Sequence, residues 1–476
     1  MELPRQLLIT HVAFFSLLGN SVKAASIFYT IFLSLSLASF NSPYQVTFYP
    51  VYTVATSDCK IAICMEPAVN DASLTVQVVQ NDLERPTSMA FLGPDDILVL
   101  EKDKGTVRRI IDGQLLDKPI LDVNVATEQE RGMLGIAIAR TNDALDRPPY
   151  VFLYYTEAKG EEDGGDPIGN RLYRYQFENN RLVNPRLLLD LPFTPGPYHN
   201  GGKIVIGPDN LVYLIIGDLH DVDNGDPANP QRVKDQKRGA QELDGRGGIL
   251  RIDQDGKSVD SIIGDDYPLS LYYAYGIRNG FGIDFDPVTG NLWDTENGGA
   301  IGDEINLVEP GFNSGWSKIQ GVWLMDRVDP FSPSSESEEA DSKDTEDLVD
   351  FDGRGKYSKP EFTWWQTLGP TALKFLSSNK LGEEYENDMF VGDVQFGNVY
   401  HFELSKDRTE LALPDGPLAD KVADTDEELL KGNGDASLVF GLGFGIVTDI
   451  QVGYDGYLYI LSFDKGELYR IMPRSI

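Results

Sequence analysis

Cysteine is nearly absent: the 476 residues contain two, Cys59 and Cys64. Two thiols do not make a structural zinc site, which takes four ligands, and no histidine lies near them. In an oxidising compartment they would close one small disulfide loop, peripheral to function. Histidine is equally scarce, at positions 11, 199, 220 and 401 only. Positive charge is short as well: 41 Lys and Arg stand against 75 Asp and Glu, a net −34. A nucleic-acid partner needs a basic stripe, and none is visible. The acidity serves solubility, with divalent-cation binding as its other use. Three chemical signatures are missing too: a Gly-x-Ser-x-Gly elbow, a His-Glu-x-x-His helix and a Rossmann glycine fingerprint. Serine-hydrolase and nicotinamide chemistry are thereby disfavoured.

Neither apolar run near the start, residues 7–19 and 27–40, reaches the roughly 20 residues that span a bilayer, although together they do. Arg5 precedes the first, and Val22-Lys23-Ala24 offers small residues where a signal peptidase reads. We expect an exported protein, extracellular or at the cell surface. Residues 1–45 are then a cleaved signal or a retained membrane tether, unless the start codon is placed too early. Residues 46–73, with the two cysteines, read as a linker.

What the sequence has in abundance is Gly (47), Tyr (22) and Phe (23), arranged in a repeat. Each copy holds a small residue, an apolar strand, a Pro-Asp or Asp-Gly turn, an aliphatic-aromatic strand and an acidic residue. A further strand ending in Arg-Ile or its like follows. Copies begin near residues 86, 132, 201, 282, 371 and 446. Recurrence of one turn six times predicts an all-β fold, a six-bladed β-propeller of four-stranded antiparallel blades over residues 74–476. Residues 74–80 are expected to supply a strand that ties the ring shut. The acidic stretch within residues 329–355 has almost no apolar residue to bury and reads as a mobile loop.

Propeller phase places residues that precede each innermost strand, and those that follow each second strand, on one rim. The first set includes Glu130, Arg131, His199, Asn200, Arg278, Asn279 and Thr448. The second is Glu101, Glu157, Asp218, Glu296, Asp393 and Asp464. Any one of these carboxylates can be explained as a satisfier of loop N–H groups. Six together imply a cation, because like charges repel. Glu296-Asn297-Gly298-Gly299-Ala300-Ile301-Gly302-Asp303-Glu304 is the densest such loop, and its carbonyls and carboxylates suit a hard cation such as Ca²⁺. Histidine is the residue type best suited to take a proton near neutral pH, which makes His199 a candidate general base on a hydroxyl, or else a loop-bracing histidine.

Four motifs carry a resemblance: Arg131-Gly132-Met133-Leu134-Gly135-Ile136-Ala137, His199-Asn200-Gly201-Gly202, Gly276-Ile277-Arg278-Asn279, and Asp303-Glu304-Ile305-Asn306-Leu307 with Gly311-Phe312-Asn313-Ser314-Gly315-Trp316. Over about residues 75–475 the chain resembles the glucose/sorbosone dehydrogenase family, soluble quinoproteins that oxidise sugars. The resemblance implies pyrroloquinoline quinone (PQQ) and Ca²⁺ at the channel mouth, a small sugar as substrate and an external electron acceptor. It implies His199 as the catalytic base toward the anomeric hydroxyl, Arg278 and Asn279 as quinone contacts, and the carbonyls of Gly298 and Gly299 as Ca²⁺ ligands. The remaining cofactor-binding positions are departures. Glu130 replaces a glutamine, Tyr198 an aspartate before the base, Gln395 a lysine, and Ile446 and Thr448 two arginines. PQQ carries three carboxylates, and each lost charged contact costs about 1.5–3 kcal/mol. Two other functions are compatible with the fold: a carbohydrate- or cation-binding propeller without redox chemistry, and a Ca²⁺-dependent lactonase.

Overall fold

The strand Tyr150–Ala158 shows how the molecule is built: residues 151–156 are all buried. Side chains alternate across a strand. Phe152 and Tyr154 enter one core cluster, with Ile204 and Leu214. Val151, Leu153 and Tyr155 enter another, with Leu98 and Val107. The sheet is thus covered on both faces, which is why its sequence is a continuous apolar run and not an alternating one. Val212–Ile216 does the same one sheet further on: Val212, Leu214 and Ile216 face one cluster, Tyr213 and Ile215 the next.

The computed structural model describes residues 66–139, 149–219, 243–329, 334, 337–425, 428–429 and 437–475. The expected signal or tether, and Cys59 and Cys64, lie outside these. Within them the fold is an all-β propeller. Six sheets of four to six strands follow one another along the chain, with a two-stranded ribbon beside them. Their innermost strands are Pro86–Gly93, Met133–Ala139, Ile204–Ile206, Gly280–Phe285, Pro370–Phe375 and Val447–Val452. Each neighbours the next, and the last returns to the first. An apolar cluster fills each gap between consecutive sheets, the gap from sixth to first included.

Closure is made by Leu74–Gln80, which pairs antiparallel with the C-terminal strand Glu467–Pro473, as the repeat required. The sheets begin earlier than residue 74, however: Ala68 and Val69 pair with Leu442 and Gly441 of the fifth sheet. The acidic stretch also differs from its sequence reading at two positions. Ala340 and Leu348 are buried with Ile319 and Leu324, and Val349 O accepts from Asn313 Nδ2 at 3.1 Å and from the Tyr275 hydroxyl. Composition hides this anchoring, because two apolar residues suffice for it.

One ion pair crosses the channel. Lys203, on the third sheet, meets Asp449, on the sixth. Ser88 Oγ and Met89 N, from the first, donate to the other Asp449 oxygen at 2.9 and 2.8 Å. Lys203 is 8% exposed and Asp449 is fully buried. These donors satisfy both oxygens of the buried carboxylate.

Candidate active site

His199 occupies the loop before Ile204–Ile206 in a left-handed backbone conformation, φ 59°. For a non-glycine residue this is uncommon and is held by its surroundings. The His199 N–H donates to Glu130 Oε2 at 2.6 Å, fixing the loop to the one before the second sheet. Gly217 makes the third approach possible. A Cβ there would lie 2.6 Å from His199 O and 2.7 Å from Arg278 O. Its neighbour Asp218 donates its N–H to Arg278 O at 2.9 Å. Loops preceding the second, third and fourth sheets are therefore drawn to one rim, as the repeat phase implies.

On this scaffold the His199 ring meets Asp218: Nδ1 to Oδ1 is 2.6 Å, with both side chains buried. Trp316 Nε1 donates to the second oxygen, Oδ2, at 2.8 Å. A carboxylate on Nδ1 selects the tautomer with its proton there and puts the basic lone pair on Nε2. The sequence put Asp218 on this rim; what it did not reveal is that Asp218 orients the histidine. Nor did it reveal Trp316, visible only as the end of a motif. The signal for Asp218 was its place one residue after a Gly that ends a second strand.

Arg278 stands beside this pair. Its Nη1 donates to the carbonyls of Asn297 and Gly298 at 2.8 and 2.9 Å, and its guanidinium lies 5.4 Å from the centroid of the Trp316 ring. Burial lowers its pKa from the usual arginine value, opposed by Asp218, Asp303, Glu130 and Glu296. Asn279 is 5% exposed. Its Nδ2 contacts Asn297 Oδ1 at 3.5 Å, while its Oδ1 is buried without a partner. An unmatched buried acceptor among these groups is a place for a ligand donor.

Behind Gly298 lies a fully buried acidic group: Asp294, Glu296, Asp303 and Glu304. Asp303 accepts from Gly298 N at 2.7 Å and from Leu368 N and Gly369 N at 2.6 and 2.8 Å. Burial still raises its pKa to about 7. Glu304 is also raised to about 7 by burial, and Glu296 is pushed well up by burial and then by Glu304. Asn306 Nδ2 bridges the two glutamates at 3.2 and 3.1 Å. Neighbouring carboxylates share protons because they do not all ionise together.

The expected ring of six rim carboxylates resolves into two kinds. Asp218 and Glu296 belong to the site. Glu101 is held by Thr106, Arg108 and Glu84 N. Glu157 pairs with Arg171 and Tyr173. Asp393 accepts from three backbone N–H groups and the Tyr400 hydroxyl. Asp464 accepts from Ile446 N at 2.6 Å. These four serve their own loops, so they do not jointly call for a cation.

The remaining positions implied by resemblance are spread around the same propeller. Gln395 is exposed and follows Asp393. Thr448 gives its hydroxyl to Pro86 O at 2.9 Å, joining the sixth sheet to the first. Gly298 is buried and Gly299 exposed. Among the described residues no three His, Cys, Asp or Glu side chains are set to hold a metal ion.

A model of the glucose/sorbosone dehydrogenase family matches residues 83–470. The chain is 23% identical over 425 residues to aldose sugar dehydrogenase YliI of Escherichia coli, covering 87% of this chain and 97% of that one. It is 28% identical over 257 residues to quinoprotein glucose dehydrogenase B of Acinetobacter calcoaceticus, about half of each chain (52% and 52%). Its fold is like that of the apo form of the soluble E. coli aldose sugar dehydrogenase, with a TM-score of 0.60 at 22% identity. That match covers 84% of this chain and all of the other. It is also like the PQQ-bound aldose sugar dehydrogenase of Streptomyces coelicolor, with a TM-score of 0.57 at 20% identity, 86% of this chain and all of the other being covered.

Proposed function

The chain belongs to the glucose/sorbosone dehydrogenase family, and on that premise we propose that it oxidises a sugar at its anomeric hydroxyl with PQQ and Ca²⁺. Each of the six sheets is then one blade of a six-bladed propeller, with the site at one mouth of its channel. The observation that carries the reading is the 2.6 Å contact between His199 Nδ1 and Asp218 Oδ1, beside Arg278 and Asn279.

The chemistry follows from these side chains. His199 Nε2 takes the proton of the anomeric hydroxyl. Asp218 then faces an imidazolium, which it stabilises, while Trp316 Nε1 keeps its other oxygen from turning away. PQQ, held beside Arg278 and Asn279, would supply the two-electron acceptor for the hydride of the anomeric carbon, and the oxidised sugar would be a lactone. Asn279 Oδ1, buried without a partner, could accept from the one pyrrole N–H of this group, and the Arg278 guanidinium could answer a carboxylate. Gly298 and Gly299 would offer carbonyls to the cation, Gly298 sharing its oxygen with Arg278. The electrons leave to an external acceptor. Residues 7–19 support export and an extracellular or cell-surface location.

A second reading, a propeller that binds carbohydrate without redox chemistry, is favoured by the uncharged Gln395, Ile446 and Thr448. Reconstitution separates the two. The full chain is incubated with PQQ and CaCl₂, desalted, and examined by visible absorption and by dye reduction with a panel of aldoses. Retained quinone with sugar-dependent dye reduction is the expected result. Loss of the quinone on desalting together with the absence of sugar-dependent dye reduction would eliminate the dehydrogenase.

A further inference from the structure

The channel has a second end. Loops preceding the innermost strands meet at His199, so later residues of those strands lie toward the other mouth. There a cavity of ≈ 340 Å³ is lined by residues from all six innermost strands or their ends. Its volume falls in the range of about 300–1,000 Å³ typical of small-ligand sites. Most of the residues around it are apolar, but polar atoms form the larger part of the surface they present, and four polar side chains line it: Lys203, Asp284, Lys374 and Gln451.

These polar groups come as neutralised pairs. Lys374 Nζ lies 3.0 Å from Asp284 Oδ1, whose other oxygen accepts from Phe375 N at 2.9 Å. Lys203 is paired with Asp449, which also accepts from Gln451 Nε2 at 3.1 Å. An ammonium has three N–H donors, and each of these lysines gives one to its carboxylate. The wall thus offers ammonium donors next to carboxylate and amide acceptors, without net charge. At the edge stands Tyr454, 51% exposed, its ring 6.4 Å from that of Phe91. An exposed aromatic face beside alternating donors and acceptors matches a ring that is apolar on its C–H face and carries hydroxyls around it. A net charge of −34 on the chain disfavours entry of an anion.

We infer that the mouth opposite His199 is a second binding site, for a neutral polyhydroxylated ligand of monosaccharide size. Lys203, which lines this cavity, reaches across to Asp449 of the sixth sheet. The inference is independent of the oxidation chemistry, because neither quinone nor Ca²⁺ enters it.

The test uses the full chain carrying Tyr454→Trp as a fluorescence reporter, titrated with methyl β-D-glucopyranoside. This probe has no free anomeric hydroxyl and is not consumed. A saturable fluorescence change is expected. Adding Lys374→Met and Gln451→Leu should weaken it at least tenfold, whereas adding His199→Ala should leave it unchanged. Gln451→Leu alone preserves both lysine ion pairs and should weaken binding about threefold, which guards against misfolding of the multiple variant. No saturable change, a curve indifferent to Gln451→Leu and to the combined variant, or loss of the response with His199→Ala would each overturn the site.

Discussion

The two halves of the His199 rim are built to different ends. On the side of the second, third and fourth sheets, glycines bring backbone loops together and a histidine is oriented by a carboxylate. An arginine and an asparagine with a spare acceptor stand beside it. On the side of the fifth, sixth and first sheets the corresponding loops are occupied with themselves: Asp393 closes its own turn, Asp464 holds Ile446, and Thr448 spends its hydroxyl on Pro86. Proton transfer needs a few atoms in fixed positions, whereas holding an anionic ligand needs charge that many positions can supply. The first half holds an oriented histidine beside an arginine, whereas the second has no cation at Gln395, Ile446 or Thr448.

The largest effect that tests this contrast is His199→Ala. In the reconstituted enzyme it should lower turnover about 10²–10⁴-fold while quinone retention, read by absorption, changes little. Turnover that survives would remove the first half from the chemistry. Asp218→Asn should follow, costing about 10–100-fold because a charge-assisted hydrogen bond of about 1.5–3 kcal/mol is lost. Its effect should fall on kcat more than on KM, since the Asp218 carboxylate is engaged by His199 and Trp316.

Thr448→Arg sharpens the contrast from the other side. Placing a cation where the resemblance implies one should tighten PQQ about tenfold by equilibrium dialysis, and an unchanged affinity would place the quinone's carboxylates elsewhere. The smallest effect concerns Asp393, whose pKa burial raises to about 6 from 3.8. Below pH 4 the folded and unfolded chains both hold its proton. Between about pH 4 and 6 the unfolded chain sheds a proton that the folded one keeps, so unfolding becomes easier as pH rises. Asp393→Asn removes that part of the slope, about 1–3 kcal/mol or less. Urea midpoints at pH 4 and pH 7 should therefore differ less in the variant than in the parent.

Much of the fold was legible because a propeller repeats its own grammar. Turns such as Gly207-Pro208-Asp209-Asn210 and Gly453-Tyr454-Asp455-Gly456 mark equivalent corners, and the strands flanking them were placed to within a residue or two. Of the site, phase put His199, Asp218, Arg278 and Asn279 on one rim. It did not tell Asp218 from Glu101 or Asp393, since an acidic residue after a second strand looks the same whether it orients a histidine or closes a loop. That distinction depends on which backbone N–H groups are near, and only folding decides it. The channel pair Lys203–Asp449 was illegible for a similar reason: its partners are 246 residues apart and neither belongs to a motif.

The strand Leu74–Gln80 has a consequence for how the molecule comes apart. Linear repeat arrays can fray from a terminal unit, each lost unit exposing only one interface. Here the first and last sheets bury each other, and the last is completed by a strand from the front of the chain. No unit is terminal, and detaching any one sheet opens two apolar interfaces at once. Denaturation should accordingly be a single cooperative event, with the seam between Leu74–Gln80 and Glu467–Pro473 as its latch. Clipping a few residues from the C-terminus would then destabilise the whole ring and not merely its last sheet.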